Sequence, residues 1–596
     1  MEEGIVKGGS FLIEDISPDQ VFTPEDFNEE QRLVAKSAEE FAQGEVLPKI
    51  DELEVLNYDL IRSLMGQAGE LGLLSADIPE IYGGSGLDKV SSTLITEKMT
   101  TGGTSFTVTF ADHTGIGSLP IVFFGTPRQK ERYLAKLASG ESIAAYALTE
   151  SEHGTDALRC KTTATLSKDG KHYLLNGQKQ FITNAGFADL FLTYAQVDGD
   201  KFTGFIVERN SDGLSLDEEE KKMGIHGTST RAVIFEDVKV PVENVLGEIG
   251  RGHVVALNTL NIGRFKLGGA CVGGAKTMLA EAIRYAKQRV QFGKPISEFG
   301  LIKHKIAEMA IRIYVTESMV YRTAGLIDRI LHGIDPTAEE AGQKTANGIR
   351  EYATECSINK VYGSEMLDYV VDEAVQILGG YGYIQEYLPE RAYRDSRINR
   401  IWEGTNEINR MLVLDMLFRK AMKGELALLP AIQKLMGELM SYTPSLMESE
   451  TAVLGTQRKI VEMAKKIGLM AAGITTQKYM EKLREEQELT ALIADMVIEI
   501  FAMESALLRA LKKAEKSGED EARIHLAATK VYIDEAFPRV ELLARQVLGS
   551  VSQGDDLRTQ LAGVRKFARY TPINAVALRR EIADSVLSVS RYHLSP

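Results

Sequence analysis

The chain contains 596 residues, 44% of them hydrophobic, and carries a formal net charge of −15 at pH 7. This length exceeds one ordinary domain, so we expect about two to four domains. The acidic balance argues against nucleic-acid binding, because proteins hold phosphate backbones through basic surfaces.

The N-terminal sequence MEEGIVKGGS has neither the basic start and apolar core of a secretion signal nor the Arg-rich pattern of an import sequence. No apolar run approaches the ~18 residues that a transmembrane helix requires. Cys160, Cys271 and Cys356 are far apart and lack CxxC spacing, so neither a disulfide framework nor a metal site is predicted. These features together predict a cytoplasmic protein.

Residues 1–29 are interpreted as an N-terminal arm and residues 30–145 as a helical domain. Asn28 and Gln31 have the spacing of a capping box at the start of the first helix. The same stretch repeats apolar and small residues at helical spacing, which predicts one buried face. That face is expected to contain Leu33, Val34, Ser37, Ala38 and Phe41.

The pattern changes in residues 146–251, which are rich in β-branched and aromatic residues. Asp169-Gly170 and Asp198-Gly199 punctuate this region as hairpin turns do. A last strand, TRAVIFEDVKVP, ends at Pro241. The region therefore predicts a compact antiparallel sheet domain.

Helical periodicity resumes near residue 252 and continues to the end, with a helical bundle predicted over 252–425 and a helical extension over 426–596. The segment AIQKLMGELMSYTPSLM in the extension is Met-rich and partly amphipathic. Packing within the chain or against a second subunit is the favoured role for the extension, and peripheral membrane contact is the alternative.

The stretch IWEGTNEINRMLVLDMLF contains the only tryptophan of the chain, Trp402. Thr405 is placed to cap a helix, which leaves Glu403 and Gly404 just before its first turn. Burial beside Trp402 would raise the pKa of Glu403, whereas the helix N-terminus would lower it. The sequence leaves that balance open, and a surface cap is the ordinary interpretation of such a glutamate.

Five segments in the expected order give the chain a close resemblance to the acyl-CoA dehydrogenase family. The resemblance covers roughly residues 30–425, and the segment from Met223 to Phe265 is most similar to the very-long-chain subgroup, which carries a C-terminal helical extension. It implies a mainly α-helical fold with a central antiparallel β-barrel-like domain, an extra C-terminal helical domain and a bound FAD. The five segments are AYALTESEHGTDA, NGQKQFITNAG, RVQFGKPI, QILGGYGYIQEY and IWEGTNEI.

The resemblance assigns one group of residues to the flavin of the same subunit. This sequence departs from the family at Glu152 and His153, where a proline and small residues are usual. Thr405 and Glu407 are also assigned to the cofactor. The flavin group comprises Tyr146, Leu148, Thr149, Thr155, Phe181 and Thr183.

A second group is assigned to the FAD of a neighbouring subunit, so the resemblance implies at least a homodimer. An arginine suits this role because its guanidinium binds phosphate oxygens bidentately, and glycine permits close backbone approach. This group comprises Arg289, Phe292, Gln376, Gly379 and Gly380.

The resemblance assigns Asn261, Arg264, Gly404 and Thr155 to the acyl-CoA substrate and makes Glu403 the catalytic base. Some relatives carry the base on the helix just before the arginine, where this chain has glycine. That helix is unusually glycine-rich, GRFKLGGACVGG, and the glycines suit either room for an acyl chain or close helix packing.

The activity implied is α,β-desaturation of a long-chain acyl-CoA to a trans-2-enoyl-CoA in fatty acid β-oxidation. Glu403 would remove the α-proton while a hydride passes to flavin N5, and electron-transfer flavoprotein would accept the electrons. An acyl-CoA oxidase and a non-catalytic assembly scaffold on the same fold are the alternatives. No metal is predicted.

Overall fold

The computed structural model describes residues 5–441 and 452–595, and it begins with a helical region. The capping box predicted for its first helix is confirmed: Asn28 and Gln31 exchange side-chain to backbone bonds. The predicted buried face is partly wrong, because Leu33 is 61% exposed and Ala35 lies inward instead. The helices are α1 (Glu29–Phe41), α2 (Ile50–Glu54), α3 (Tyr58–Glu70), α4 (Lys89–Met99), α5 (Thr104–Asp112), α6 (Leu119–Phe124) and α7 (Pro127–Ser139).

The middle region forms an eight-stranded sheet in the order β6-β7-β3-β2-β4-β5-β8, with β1 paired to β4. Most pairs are antiparallel as predicted, but β1 and β2 both pair with β4 in parallel. The strand path is open, and the described residues contain no closed barrel, so the barrel-like description is not confirmed. The strands are β1 (Ala144–Ala147), β2 (Thr163–Leu166), β3 (His172–Thr183), β4 (Leu190–Val197), β5 (Lys201–Glu208), β6 (Leu214–Glu219), β7 (Thr230–Pro241) and β8 (Val245–Leu246).

A second helical region follows, in which α8 and α11 pack along each other. A Cβ placed at Gly268 would lie 2.9 Å from Val320, and one at Gly269 would lie 2.8 Å from Thr93. Close helix packing therefore explains these glycines. The elements are α8 (Gly252–Gln288), the hairpin β9 (Val290–Gln291) and β10 (Lys294–Pro295), α9 (Gly300–Leu331), α10 (Ala341–Glu351), α11 (Ala353–Leu378), α12 (Leu388–Ser396) and α13 (Asn406–Met422).

The C-terminal extension shares one continuous apolar core with this second helical region. Its helix α16 packs against α9 and α13. This arrangement supports the packing role, although the last part of the Met-rich segment, residues 442–447, lies outside the described residues. The helices are α14 (Leu428–Ser441), α15 (Gly455–Tyr479), α16 (Gln487–Ser517), α17 (Glu519–Val551), α18 (Gly554–Phe567) and α19 (Ala575–Val589).

The N-terminal arm lies between the second helical region and the extension. Phe11 is buried and its ring lies 4.8 Å from that of Phe501 in α16. On the other side, the backbone N–H of Gly9 donates to Glu355 of α11 at 2.7 Å. The arm is therefore part of the core that joins the two regions.

Within the described part of the chain, no helix combines the length and the apolar character that a bilayer span requires.

Candidate active site

The site is built on a tight turn immediately before α13. Glu403 and Gly404 both have positive φ, 57° and 78°. The predicted cap is confirmed: the hydroxyl of Thr405 accepts a hydrogen bond from the backbone N–H of Ile408 at 3.3 Å. A non-glycine residue with positive φ is uncommon and is retained only where surrounding contacts enforce it.

Those contacts are hydrogen bonds to the carbonyl groups of the turn. The Asn409 side chain donates to the carbonyl of Gly404 at 2.8 Å, and Lys360 Nζ donates to the same oxygen at 2.7 Å. Arg264 Nε donates to the carbonyl of Glu403 at 3.2 Å. Side chains from α8, α11 and α13 thus fix the backbone that carries Glu403.

The Glu403 carboxyl group lies against α8 at Gly263. A Cβ at position 263 would come within 2.6 Å of Glu403 Oε2, so any larger residue there would force the carboxyl group to move. Oε2 is shielded from solvent and receives no hydrogen bond from any residue that the structure describes. A buried carboxylate oxygen without a donor is available to take a proton.

The sequence left open whether burial or the helix N-terminus dominates the pKa of Glu403. In the structure burial dominates, so the carboxyl group keeps its proton to a higher pH than it would in water. Burial raises the pKa of Glu403 to about 7, and the nearby cations Arg264 and Lys360 only partly oppose the rise. Burial also lowers the pKa of Lys360 to about 8, against the attraction of Glu403. A base with a pKa near the working pH is suited to proton transfer.

A second carboxyl group, Asp112 at the end of α5, belongs to the same site. Burial, together with repulsion from Glu403, raises its pKa well above the usual range. Its Oδ2 accepts a hydrogen bond from the Asn184 side chain at 3.3 Å. Burial and Glu403 therefore favour the neutral form of Asp112 more strongly than water does.

The residues assigned to the flavin of the same subunit lie along β1, β3 and the loop between β1 and β2. Tyr146 is buried, and Glu403 contributes to raising its pKa, after the larger effect of burial. Phe181 has φ 60° at an irregularity of β3, and its ring is 60% exposed. Leu148 and Thr183 are half-buried, whereas Thr155 is exposed.

A buried ion pair anchors this loop. Glu150 accepts a hydrogen bond from Lys179 Nζ at 2.8 Å and from the Thr162 backbone N–H at 3.0 Å. The backbone of the strand adds a further bond, because Gln180 N–H donates to the carbonyl of Thr149 at 2.8 Å. The loop is thus fixed at both ends by polar contacts.

Three of the five residues assigned to a neighbouring subunit's FAD lie elsewhere, at an open cavity of about 560 Å³. Arg289, Gly379 and Gly380 line this cavity. Gln376 and Phe292 do not line it, although both are exposed, Phe292 to 95%. The structure therefore brings three of these five residues together at one cavity.

Among the remaining assigned residues, some lie beside Glu403 and one is exposed to solvent. Arg264 Nη1 donates to Asn261 Oδ1 at 3.1 Å, and both residues are buried beside Glu403. Gly404 lies in the turn itself. Glu407, assigned to the cofactor, is exposed on the first turn of α13.

Several residues of the site were not predicted from the sequence. Lys360 and Asn409 bind the carbonyls of the turn, and Asp112 shares its electrostatics. One signal was present for Lys360, since a lysine within the apolar helical stretch SINKVYG must find a partner if that face is buried. No comparable signal marked Asp112.

The three cysteines do not contribute nucleophiles. Cys160, Cys271 and Cys356 are free and buried. Burial raises the pKa of Cys160 to about 11 and that of Cys271 to about 12. Across residues 5–441 and 452–595, no group of three or more His, Cys, Asp or Glu side chains could hold a metal ion.

Four family descriptions match consecutive parts of the chain. They are the acyl-CoA dehydrogenase N-terminal domain over residues 28–141, the middle domain over 145–238, and two C-terminal domains over 250–418 and 463–566. The chain belongs to the acyl-CoA dehydrogenase family.

Individual relatives extend this result over the whole chain. A probable acyl-CoA dehydrogenase of Bacillus subtilis (strain 168) is 51% identical over 588 residues, 99% of this chain and 98% of that protein. A crystal structure of an acyl-CoA dehydrogenase complexed with FAD from Bacillus anthracis is 52% identical, with a TM-score of 0.97 over 99% of this chain and 100% of that one. The very long-chain specific acyl-CoA dehydrogenase of Homo sapiens mitochondria is 39% identical over 413 residues, 67% of this chain and 60% of that protein.

Proposed function

We propose that this protein is an FAD-dependent dehydrogenase of long-chain acyl-CoA thioesters, forming trans-2-enoyl-CoA with Glu403 as the general base. The observation that carries the proposal is the state of the Glu403 carboxyl group. Its Oε2 is buried without a donor, and its pKa is raised to about 7. A carboxylate with these properties is placed to remove a proton rather than to cap a helix.

The residues present fit FAD on two observations. Phe181 presents an exposed ring at a fixed left-handed backbone position, which suits packing against a flat aromatic ring system. Arg289 lines a cavity beside Gly379 and Gly380, where added Cβ atoms would meet nothing within 4 Å. A guanidinium beside accessible backbone suits a pyrophosphate.

Within the proposal, Leu148, Thr149, Thr155, Phe181 and Thr183 hold the flavin ring, with Tyr146, Thr405 and Glu407 completing the site. Arg289, Phe292, Gln376, Gly379 and Gly380 hold the dinucleotide part of the partner subunit's FAD, so the protein acts as a homodimer. When bound, FAD supplies a hydride acceptor for the β-hydrogen of the substrate.

Proton removal is the step that the residues of this chain perform. The α C–H of a thioester is a very weak acid, so the thioester carbonyl must be polarised as negative charge develops. The backbone N–H of Glu403 is the donor that the family resemblance assigns to this task. The rigid turn keeps that N–H and the carboxylate in one fixed relation, which lowers the entropy cost of reaching the transition state.

Arg264 and Lys360 control the charge of the site. Both cations favour the ionised form of Glu403 and oppose the rise in its pKa caused by burial. Because Arg264 and Lys360 also bind the carbonyls of the turn, they hold the base in place while they tune it.

The remaining parts of the proposal rest on the family resemblance and, for the location and the domain limits, on the sequence patterns. Electron-transfer flavoprotein is the proposed electron acceptor, β-oxidation the proposed pathway and the cytoplasm the proposed location. The proposed domain limits are residues 30–145, 146–251, 252–425 and 426–596, preceded by the arm. The long-chain preference is supported by similarity to the very-long-chain subgroup.

Anaerobic titration with acyl-CoAs from butyryl to stearoyl tests the activity and the chain-length preference together. We expect bleaching of the yellow flavin absorbance to be most complete, at the lowest ligand concentration, with the long chains. Strongest bleaching by butyryl-CoA would contradict the long-chain preference. Bleaching by no acyl-CoA would contradict the activity, and rapid peroxide formation in air would favour an acyl-CoA oxidase.

The pH dependence of kcat/KM tests the assignment of the base. Because Glu403 must be ionised and its pKa is about 7, kcat/KM should rise between pH 5.5 and 8 with a midpoint near 7. Asp112→Asn is the matched control: the pKa of Asp112 is raised well above its usual range, and asparagine has the shape of the neutral carboxyl group, so the midpoint should stay near 7 in that variant. A midpoint near 4.5 in the wild type, the ordinary range of a glutamate, would contradict the assignment.

A further inference from the structure

An arginine near the catalytic turn connects the helix that carries the turn to the C-terminal extension. Arg410, in the second turn of α13, donates through Nη1 and Nη2 to both carboxylate oxygens of Glu365 in α11, at 2.9 and 3.1 Å. Its Nε donates to Asp495 Oδ1 in α16 at 2.7 Å. One guanidinium thus joins the catalytic helix, the helical bundle and the extension.

Glu365 leads from this arginine to the catalytic turn. Its Oε1 also accepts a hydrogen bond from the side-chain amide of Asn406 at 3.0 Å. Asn406 follows Thr405 directly and is the first residue of α13. The carbonyl oxygen of that amide accepts from Lys360 Nζ at 2.7 Å, and Lys360 holds the carbonyl of Gly404. The contacts form an unbroken path from Asp495 to the residue after Glu403.

We propose that Asp495 of the C-terminal extension is a positioning residue for Glu403, acting through Arg410, Glu365 and Asn406. This inference rests on the proposed function of Glu403. It gives the extension an indirect role in the active site, through a path of hydrogen bonds.

The geometry explains why the path transmits position. A guanidinium with three of its donors engaged by two carboxylates has one orientation, because its fork is planar and rigid. When Asp495 is replaced by asparagine, the acceptor of Arg410 Nε loses its negative charge. The hydrogen bond is then weaker, and the guanidinium plane rotates more easily away from the bidentate contact with Glu365. Glu365 then holds Asn406 less firmly, and the turn gains freedom. A displacement of about 1 Å of a catalytic group can cost roughly 10²-fold in rate.

The same helix provides a matched control. Asp415 of α13 also binds the extension, through Arg484 Nη2 at 2.6 Å. The Asp415 side chain is 20% exposed and that of Asp495 33%, so the two carboxylates are comparably buried. Asp415 has no contact with Glu365 or Asn406 among the described residues. Asp415→Asn therefore removes a helix–extension ion pair without touching the path.

The test compares Asp495→Asn, Asp495→Glu and Asp415→Asn in the full-length, FAD-loaded protein. We expect kcat to fall about 10- to 100-fold in Asp495→Asn while KM changes less than about threefold, since substrate contacts are kept. Asp495→Glu should recover most of kcat, and Asp415→Asn should stay within about twofold of the wild type.

Amide hydrogen exchange over residues 403–410 is the second measurement, and it does not depend on turnover. Asp495→Asn should exchange faster there than both the wild type and Asp415→Asn. Equal exchange and equal kcat in the Asp495→Asn and Asp415→Asn variants would overturn the proposal. If the wild type bleaches with no acyl-CoA, the proposed function fails, but faster exchange confined to Asp495→Asn would still show the path.

If Asp495→Asn does not fold, neither kcat nor amide exchange can be compared. Arg410→Lys therefore tests the same path with a second variant. Lysine keeps the positive charge but cannot bind Glu365 bidentately. We expect the same fall in kcat and the same faster exchange at 403–410. Wild-type behaviour of a folded Arg410→Lys protein in both measurements would overturn the proposal.

Discussion

Glu403→Gln is expected to lower kcat for acyl-CoA dehydrogenation by about 10²–10⁴-fold, the contribution typical of a general base. Glutamine has nearly the same shape, so the turn and the acyl-CoA contacts persist while the proton acceptor is lost. Stopped-flow measurement of flavin bleaching under anaerobic conditions gives the rate. Acyl-CoA binding, measured by calorimetry, should change less than about threefold.

The position of Gly263 offers a gain-of-function control for this result. Glu403 Oε2 lies 2.6 Å from where a Cβ on Gly263 would be, so a glutamate at 263 can reach the same region from α8. The double variant Glu403→Gly, Gly263→Glu should be at least about tenfold faster than Glu403→Gly alone, because it restores a base at that place. Full activity of Glu403→Gln would show that another group removes the proton.

Arg509→Met is expected to destabilise the protein by about 3–5 kcal/mol, because removing one member of a buried ionic cluster strands the others. Arg509 is fully buried and donates to Glu25 of the arm at 2.9 Å, to Glu317 of α9 at 2.7 Å and to the carbonyl of Leu594 at 2.6 Å. Burial pushes the pKa of Glu25 upward, but Arg509 and His525 outweigh it and hold that pKa at about 2. Urea unfolding followed by far-ultraviolet circular dichroism measures the loss.

Arg523→Met is the control for this second prediction. Arg523 pairs with Glu581 at 3.0 Å, but its side chain is 70% exposed. Exposed ion pairs contribute about 0–1 kcal/mol, so its unfolding curve should nearly coincide with that of the wild type. Equal, small losses in both variants would mean that the cluster around Arg509 does not join the arm and the extension to the bundle.

Local sequence signals predicted local structure well. The capping residues Asn28 and Thr405 each start a helix as expected, because a cap is decided by residues within one turn of each other. The order of helical, sheet and helical regions followed from hydrophobic periodicity. Family membership was likewise predicted from separate motifs in order and is confirmed.

Long-range relations were predicted less well. Leu33 is exposed because the face that α1 buries is chosen by its neighbours, not by its own periodicity. The parallel pairing of β1 and β2 with β4 depends on connections that the composition of the strands does not encode. The pKa of Glu403 depends on Arg264 and Lys360, which are distant in the chain, so the sequence could not weigh burial against them.

The path through Asp495 is the clearest example of this limit. Arg410 lies 45 residues from Glu365 and 85 from Asp495, and no spacing rule connects positions so far apart. Nothing in the sequence of α16 distinguishes Asp495 from other acidic residues on the surface of a helix. Only the packing of α16 on α13 gives Asp495 its place.

The most direct test of the central claim isolates proton removal from hydride transfer. In a long-chain 3-thia-acyl-CoA, sulfur replaces the β-carbon, so no β-hydrogen can leave and only the α-proton can exchange. In deuterated water, mass spectrometry should show the wild type placing deuterium at the α-carbon, faster as pH rises through about 7. Glu403→Gln should place almost none there. Equal α-exchange in the variant and the wild type would contradict the assignment of Glu403 as the base.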